Sequence, residues 1–171
     1  FEQGYITIQA ARGHHSHFNS DTPFEALMYN FMGIGAVNLI LVSFVLGILI
    51  WKYGKKDSIG LRIGSILGLT LGSLLTLIYA MKMGNSPSHL VGEVVNNSKV
   101  PILGWSREVG DLRIPHFIAT HMMQLLPLLG FFLDKLKLSP RAIISLSTCI
   151  LVAMSAVFFD WALLGISVFP Q

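Results

Sequence analysis

Histidine is the residue type in this sequence with the clearest capacity for chemistry. An imidazole can bind a transition metal or haem iron, and it can transfer protons near neutral pH. The six histidines are His14, His15, His17, His89, His116 and His121. His116 and His121 are five residues apart, so on a helix their side chains point about 140° apart. They cannot readily share one metal ion, and any metal site must recruit a ligand from another segment.

Two further polar residues fall within apolar segments. Asp160 lies in the last apolar segment, and Gln124 follows His121 by about one helical turn. A carboxylate inside a membrane span is unfavourable by about 2.5–3.5 kcal/mol, so we expect Asp160 to face the protein interior and to pair with His121. His116 and Arg113 would extend this cluster towards water. The alternative is that each of these residues has a separate structural role.

The sequence contains no motif of a known enzyme mechanism. It has no Walker loop, dinucleotide-binding fingerprint, GxSxG element or HExxH element. Its one cysteine, Cys149, lies in an apolar segment, where a thiol is usually a small packing residue. No catalytic residue is therefore predicted. Imidazole groups suit haem or a transition metal, so these are the cofactors that the histidines could bind.

The composition is typical of a membrane protein. Hydrophobic residues make up 53% of the 171 residues, charged residues make up 12%, and the mean hydropathy is +0.64. A soluble domain usually needs about 25% charged residues to cover its surface. Four segments, at about 26–51, 61–82, 114–133 and 141–165, are long and apolar enough to cross a bilayer as helices. The prediction is an all-α, integral membrane four-helix bundle that forms one domain over residues 1–171, with an outer loop at 83–113.

Basic residues predict how this bundle is oriented. Seven of the twelve Lys and Arg residues lie in the connections between spans one and two and between spans three and four. They are Lys52, Lys55, Lys56, Arg62, Lys135, Lys137 and Arg141. The positive-inside rule places both connections in the cytoplasm, so both termini, the long loop and all six histidines lie at the outer face. Because these basic residues orient the protein, the net charge of +3 does not indicate a nucleic acid partner.

Local signals predict where the helices begin. Thr22-Pro23-Phe24-Glu25 has the pattern of a capping box with proline at the first helical position. Asp57 or Ser58 can cap the second long helix, and Asp111 can cap the third. Each of these side chains can accept a hydrogen bond from a free backbone N–H in the first turn of its helix.

Small residues repeat at helical spacing along two of the spans. Gly60, Gly64, Gly68 and Gly72 recur every four residues and predict a face that lets another helix approach closely. Tight packing within one chain is the favoured interpretation, and a dimer interface or a groove for a flat cofactor is the alternative. The fourth span has a similar face, which comprises Ser145, Cys149, Ala153, Ala156 and Asp160.

The long loop and the third span together contain one sequence motif. It comprises Gly104-Trp105-Ser106, Gly110-Asp111-Leu112-Arg113, His116-Phe117, His121, Gln124 and Pro127, preceded by His89-Leu90-Val91-Gly92. Over roughly residues 86–130 it resembles small multi-span bacterial membrane proteins of unassigned function. The resemblance implies a multi-pass protein of a bacterial inner membrane and supplies no activity. In physical terms, Asp111 would cap the helix, Arg113 would lie at the interface, and Trp105 would anchor the loop at headgroup level.

We expect a membrane protein that acts as a non-catalytic subunit or small carrier, whose outer cluster of histidine and aspartate binds a metal, haem or another ligand. A first alternative is a subunit of a membrane redox complex that contacts haem or quinone. A second is a structural accessory subunit that docks through its glycine face. The expected partners are the lipid bilayer and either other membrane subunits or further copies of the chain.

Overall fold

A computed structural model of the chain describes residues 2–14 and 22–169. These residues form α1 (Glu2–Ala11), α2 (Pro23–Tyr53), α3 (Ile59–Leu67), a π-helical turn (Gly68–Gly72), α4 (Ser73–Gly84), β1 (Leu90–Val91), β2 (Gly110–Asp111), α5 (Arg113–Lys135) and α6 (Pro140–Leu163). The helix runs without a break from α3 through the π-helical turn into α4, so four long helices carry the four predicted apolar segments. The all-α prediction is confirmed. The sequence analysis does not predict α1 or the two short strands.

Residues 1–40 and residues 41–171 form separate compact units. In the first unit, the Thr22 side chain caps the start of α2 as predicted, and the Glu25 side chain binds the Thr22 hydroxyl. The Glu25 backbone N–H donates to Thr22 Oγ1 at 3.2 Å, and Thr22 Oγ1 donates to Glu25 Oε2 at 2.9 Å. The buried Gln9 of α1 donates from Nε2 to Tyr5 Oη at 3.1 Å and to Glu25 Oε1 at 3.3 Å. This amide therefore joins α1 to the first turn of α2.

The second unit is organised around α5, which packs against the glycine face of α3 and the π-helical turn. A Cβ atom on Gly64 would collide with the Leu126 carbonyl. Gly60 and Gly130 are so close that a Cβ atom on either would collide with the backbone of the other. The other two contacts are Gly68 with the Met122 carbonyl and Gly72 with the Ala119 carbonyl. Since α5 of the same chain occupies this face, it is neither a dimer interface nor a cofactor groove, and it is not a surface through which an accessory subunit could dock.

The apolar core of this unit lies where α3 and α6 meet α5. Met122, Leu126, Leu133 and Ile144 are buried there, and side chains such as Leu67 pack against them. Burying side chains of this size stabilises a fold by roughly 1.5–3 kcal/mol each. The core therefore depends on α5, which contributes three of these four residues.

The start of α3 is capped by a residue from another helix. Ser58 occupies the N-cap position but makes no side-chain capping hydrogen bond, and Asp57 is exposed. Instead, Asp134 of α5 accepts hydrogen bonds from the backbone N–H of Gly60 at 2.8 Å and of Leu61 at 2.9 Å. The prediction that Asp57 or Ser58 caps this helix is wrong, because the glycine contact brings the last turns of α5 to the first turn of α3.

Residues 85–112, which we name the cap, connect α4 to α5. The two short strands pair antiparallel, with Leu90 opposite Asp111 and Val91 opposite Gly110. A Cβ atom on Gly110 would collide with the Ala162 carbonyl. The cap therefore packs directly against the last turn of α6.

The four long helices present extensive apolar surface. In the most apolar window of 18 residues, the buried share is 6% for α2, 39% for the helix from Ile59 to Gly84, 28% for α5 and 17% for α6. Each of these helices is long and apolar enough to cross a membrane. Most of this apolar surface is left uncovered by the described part of the chain.

Candidate functional site

The cap is held to α5 by a buried carboxylate and an arginine. Asp111 Oδ1 accepts hydrogen bonds from the Arg113 backbone N–H at 3.1 Å and from Arg113 Nε at 2.9 Å. Asp111 Oδ2 accepts from Arg113 Nη2 at 2.6 Å and from the Ser106 N–H at 3.0 Å, and Arg113 Nη2 also donates to the Gly104 carbonyl at 2.7 Å. Leu112, and not Asp111, occupies the N-cap position of α5, but the Asp111 side chain accepts from the first backbone N–H of this helix. The same carboxylate fixes the loop that carries Trp105.

A second carboxylate, Glu108, organises the other half of the cap. It accepts hydrogen bonds from the backbone N–H groups of Val95 and Asn96, each at 2.9 Å, and from that of Ser98. These donors, that of Ser98 above all, hold the pKa of Glu108 below its usual range because they stabilise the charged form. Sequence reasoning missed this residue. Its partners are 10–13 residues away, so no local spacing reveals them.

His89 lies at the start of the cap, half-buried beside the carboxylate and the arginine. Its backbone carbonyl accepts a hydrogen bond from the Leu112 N–H at 2.9 Å. Burial lowers the pKa of the His89 imidazole, and the positive charge of Arg113 lowers it further. The environment therefore favours the neutral ring.

Aromatic side chains join the cap, α5 and the C-terminal segment. Trp105 is stacked on Phe169, with ring centroids 5.9 Å apart, and meets Phe117 edge-on at 5.3 Å. Phe117 in turn contacts the His121 ring, with centroids 3.9 Å apart. Trp105 is thus held between two aromatic rings, and its predicted role as an anchor at headgroup level stays a prediction.

His116 and His121 have separate environments on α5. His116 is half-buried, its ring interacts with the backbone of Thr76 on α4, and its buried Nδ1 atom has no hydrogen-bond partner in the described residues. His121 Nδ1 is bonded to the Phe117 carbonyl oxygen of its own helix at 2.8 Å. The two imidazoles therefore contact different groups, His116 the backbone of Thr76 and His121 the carbonyl of Phe117.

Asp160 and Gln124 do not face the interior of the second unit. Both side chains are exposed, and within the part of the chain that the structure describes neither makes a hydrogen bond or an ion pair. At about 100° per residue, Asp160 lies about 160° around α6 from the buried Ile144. The predicted interior pair of His121 and Asp160 is wrong, because the buried stripe of α6 lies on the opposite side of that helix.

Pairs of hydroxyl groups join the helices in the interior of the second unit. Thr76 Oγ1 and Thr120 Oγ1 lie 3.3 Å apart, and Tyr79 Oη lies 3.2 Å from Ser155 Oγ. Both pairs join α4 to a neighbouring helix, the first to α5 and the second to α6. Tyr79, Thr76 and Ser155 are buried. A hydroxyl can both donate and accept, so such pairs satisfy each other without burying a charge.

Three of the six histidines lie near the N-terminus. His14 is exposed, whereas His15 and His17 lie outside the described residues. Within residues 2–14 and 22–169, no group of three or more His, Cys, Asp or Glu side chains could hold a metal ion. The predicted outer cluster of histidine and aspartate is therefore not assembled among the residues that are described.

No family model, curated protein or solved structure matches this chain. The structure shows a hydrogen-bonded cap on apolar helices. Two histidines of α5, His116 and His121, lie near the cap in different surroundings. Polar side chains also remain uncovered on the apolar helices. These features are the basis for assigning a function.

Proposed function

We propose that this chain is a multi-pass integral membrane protein that acts as a non-catalytic subunit of a membrane assembly. The uncovered apolar surface supports this proposal most directly. Only 6% of the most apolar window of α2 and 17% of that of α6 are buried, although both windows have hydropathies above 2. Exposure of such apolar surface to water is unfavourable, and the hydrocarbon core of a bilayer removes this surface from water.

The proposed orientation places the cap outside and the basic connections inside. Residues 54–58 and residues 136–139 lie at the same end of the second unit, because Asp134 bonds to the first turn of α3. The basic residues beside both connections therefore concentrate at that end, as the positive-inside rule requires of a cytoplasmic face. The proposed location is a bacterial inner membrane, in line with the sequence pattern from His89 to Pro127.

The subunit role is favoured by polar side chains on surfaces that lipid would otherwise cover. Gln124 is exposed halfway along α5, where hydrocarbon would surround it, and Asp160 is exposed in the last turn of α6, close to the headgroups. A polar group with no partner is unfavourable in hydrocarbon by several kcal/mol, so such residues usually face protein or water. A protein that covers them is therefore expected in the membrane.

Cysteine labelling from outside the cell tests insertion and orientation together. In a Cys149→Ser background, the Asn97→Cys variant of the cap should react with a membrane-impermeant maleimide. The Lys137→Cys variant should react only after the membrane is opened. The reverse pattern would contradict the orientation. Release of the protein by alkaline carbonate would contradict insertion itself.

A ligand-binding subunit or small carrier is the second candidate, favoured by His121. When its Nδ1–H donates to the Phe117 carbonyl, the neutral ring leaves Nε2 as a potential ligand for haem iron or a metal, or as an acceptor for a quinol hydroxyl. Absorption spectra and metal analysis of the gently purified protein test this candidate. A haem or metal signal that His121→Ala removes would favour it, and a protein free of both would leave the subunit role.

A further inference from the structure

α5 has two opposite faces, and the described residues bury mainly one of them. The packing face comprises Pro115, Ala119, Met122, Leu126, Gly130 and Leu133, all buried. At about 100° per residue, these residues lie within an arc of about 80°. A second set, centred about 180° away, comprises Phe117, His121, Gln124, Leu128, Phe131 and Lys135. We name this second set the α5 seam.

The α5 seam has the spacing of a coiled-coil interface. Its members follow one another at intervals of four, three, four, three and four residues, which is the alternation of the two core positions in a heptad repeat. Phe117, Leu128 and Phe131 are 40%, 52% and 45% exposed, so the described residues cover little of it. A repeat of 3.5 residues suits a left-handed crossing of two long helices at about 20°.

Gln124 supplies the reason to expect a protein on this seam and not lipid alone. It is the central residue of the 23-residue α5, so a spanning α5 places its amide near the middle of the bilayer. The amide has two N–H donors and a carbonyl acceptor, and none is used within the described residues. Interhelical hydrogen bonds from such side chains drive association of helices in membranes.

The chemistry of the amide favours a second copy of this chain as the partner. All copies insert with the same orientation, so two α5 helices related by a two-fold axis along the membrane normal bring identical residues together. A glutamine can donate to and accept from another glutamine, whereas two facing carboxylates such as Asp160 would repel each other. The α5 seam is therefore self-complementary at its central position.

We propose that two copies of the chain associate through the α5 seam, with Gln124 of one copy hydrogen-bonded to Gln124 of the second. The proposal rests on the membrane insertion proposed above. His121 precedes Gln124 in the α5 seam. In a coiled-coil interface, a side chain at this position inserts between residues of both core positions on the facing helix. With its Nδ1–H given to the Phe117 carbonyl, the His121 ring can accept at Nε2 from the amide of the second copy.

Cross-linking in membrane vesicles tests the interface directly. In a Cys149→Ser background, the full-length Leu128→Cys variant should form a covalent dimer with a short bis-maleimide. Ile150→Cys is the matched control, because Ile150 lies near the middle of α6 and is 55% exposed. It should form far less dimer. A Leu128→Cys yield no higher than that of the control would overturn the proposal.

Substitution of Gln124 tests the hydrogen bond. Gln124→Leu keeps a similar size and should weaken dimerisation about three- to thirty-fold in dilutions in detergent or bilayers. Gln124→Asn keeps the donor and acceptor and should retain most of the association. Equal association of all three proteins would refute the role of Gln124. If Leu128→Cys in native membranes cross-links to a different protein only, the second copy is excluded while the subunit function stands. Release by carbonate would instead defeat the proposed function.

Discussion

Two helical faces with similar spacing of small residues have opposite surroundings in this protein. The glycine face of α3 and the π-helical turn is closed by the backbone of α5. The small-residue face of α6, from Ser145 to Asp160, is exposed along its whole length. Spacing of four residues predicts that a helix can be approached, but it does not predict which helix approaches it.

The difference between the two faces follows from the absence of Cβ atoms on the first. Carbonyl oxygens of α5 occupy the space where side chains would begin, and Gly130 provides the same freedom on the facing helix. Alanine, serine and cysteine on α6 keep a Cβ atom and do not permit this backbone contact. Close approach therefore needs glycine on one helix and a complementary surface on the other.

The largest expected loss of stability comes from placing a leucine on the glycine face, compared with placing a leucine on the small-residue face of α6. Gly64→Leu should destabilise the bundle by about 3 kcal/mol, because its Cβ atom would collide with a backbone carbonyl that cannot rotate away. Ala153→Leu on the exposed face of α6 should change stability by less than about 0.5 kcal/mol. Unfolding in mixed micelles, followed by circular dichroism, measures both. Similar losses for the two variants would remove the distinction drawn between the faces.

A smaller effect is expected from the carboxylate at one end of the glycine face. Asp134→Ala should cost about 1–2 kcal/mol in the same assay, because two backbone N–H groups of α3 lose their acceptor. Asp57→Ala is the matched control, since this exposed residue precedes the same helix without capping it. A greater loss for Asp57→Ala would show that α3 is capped locally, as its sequence suggests.

Acidification should loosen the cap while leaving the glycine face closed. The lowered pKa of Glu108 means that its contribution to stability is present above the usual pKa of glutamate and is lost as the pH falls through the lowered value. Hydrogen-exchange protection of the Val95, Asn96 and Ser98 amides should fall in that range. Glu108→Gln should remove this pH dependence, and Glu93→Gln should keep it. Unchanged protection at low pH would argue against the role of Glu108.

The smallest effect is expected on the exposed face of α6. Asp160→Asn should alter the stability of the purified chain by less than about 0.5 kcal/mol, because the carboxylate has no hydrogen bond or ion pair within the described residues. Breaking a buried ion pair would instead cost about 3–5 kcal/mol. A loss of that size would restore the interior pair with His121 that the sequence suggests.

Features that depend on neighbouring residues were accessible from the sequence. The capping box from Thr22 to Glu25 and the bond from Asp111 to the Arg113 N–H join groups two or three residues apart. The separation of His116 and His121 follows from helical geometry in the same way. Such features need only the local backbone conformation, which the residue types themselves favour.

The side of each helix that faces the protein interior could not be predicted from neighbouring residues. An apolar span carries no contrast between an interior side and a lipid side, so the expectation that Asp160 faces inward had no periodic signal behind it. The partners of Asp134 are 73 and 74 residues away, and those of Glu108 come from another part of the cap. Neither carboxylate can be assigned before the chain is folded.

Sequence alone determined the helical class, the four long apolar segments and the face of glycines that permits close approach. Their composition and spacing dictate these properties whatever the helices pack against. Tertiary structure decided that α5 fills the glycine face, that hydroxyl pairs occupy the interior, and that Gln124 is left exposed at the centre of its helix. These outcomes depend on which helix surfaces are complementary enough to bring two backbones into contact. Such complementarity involves residues far apart in the chain.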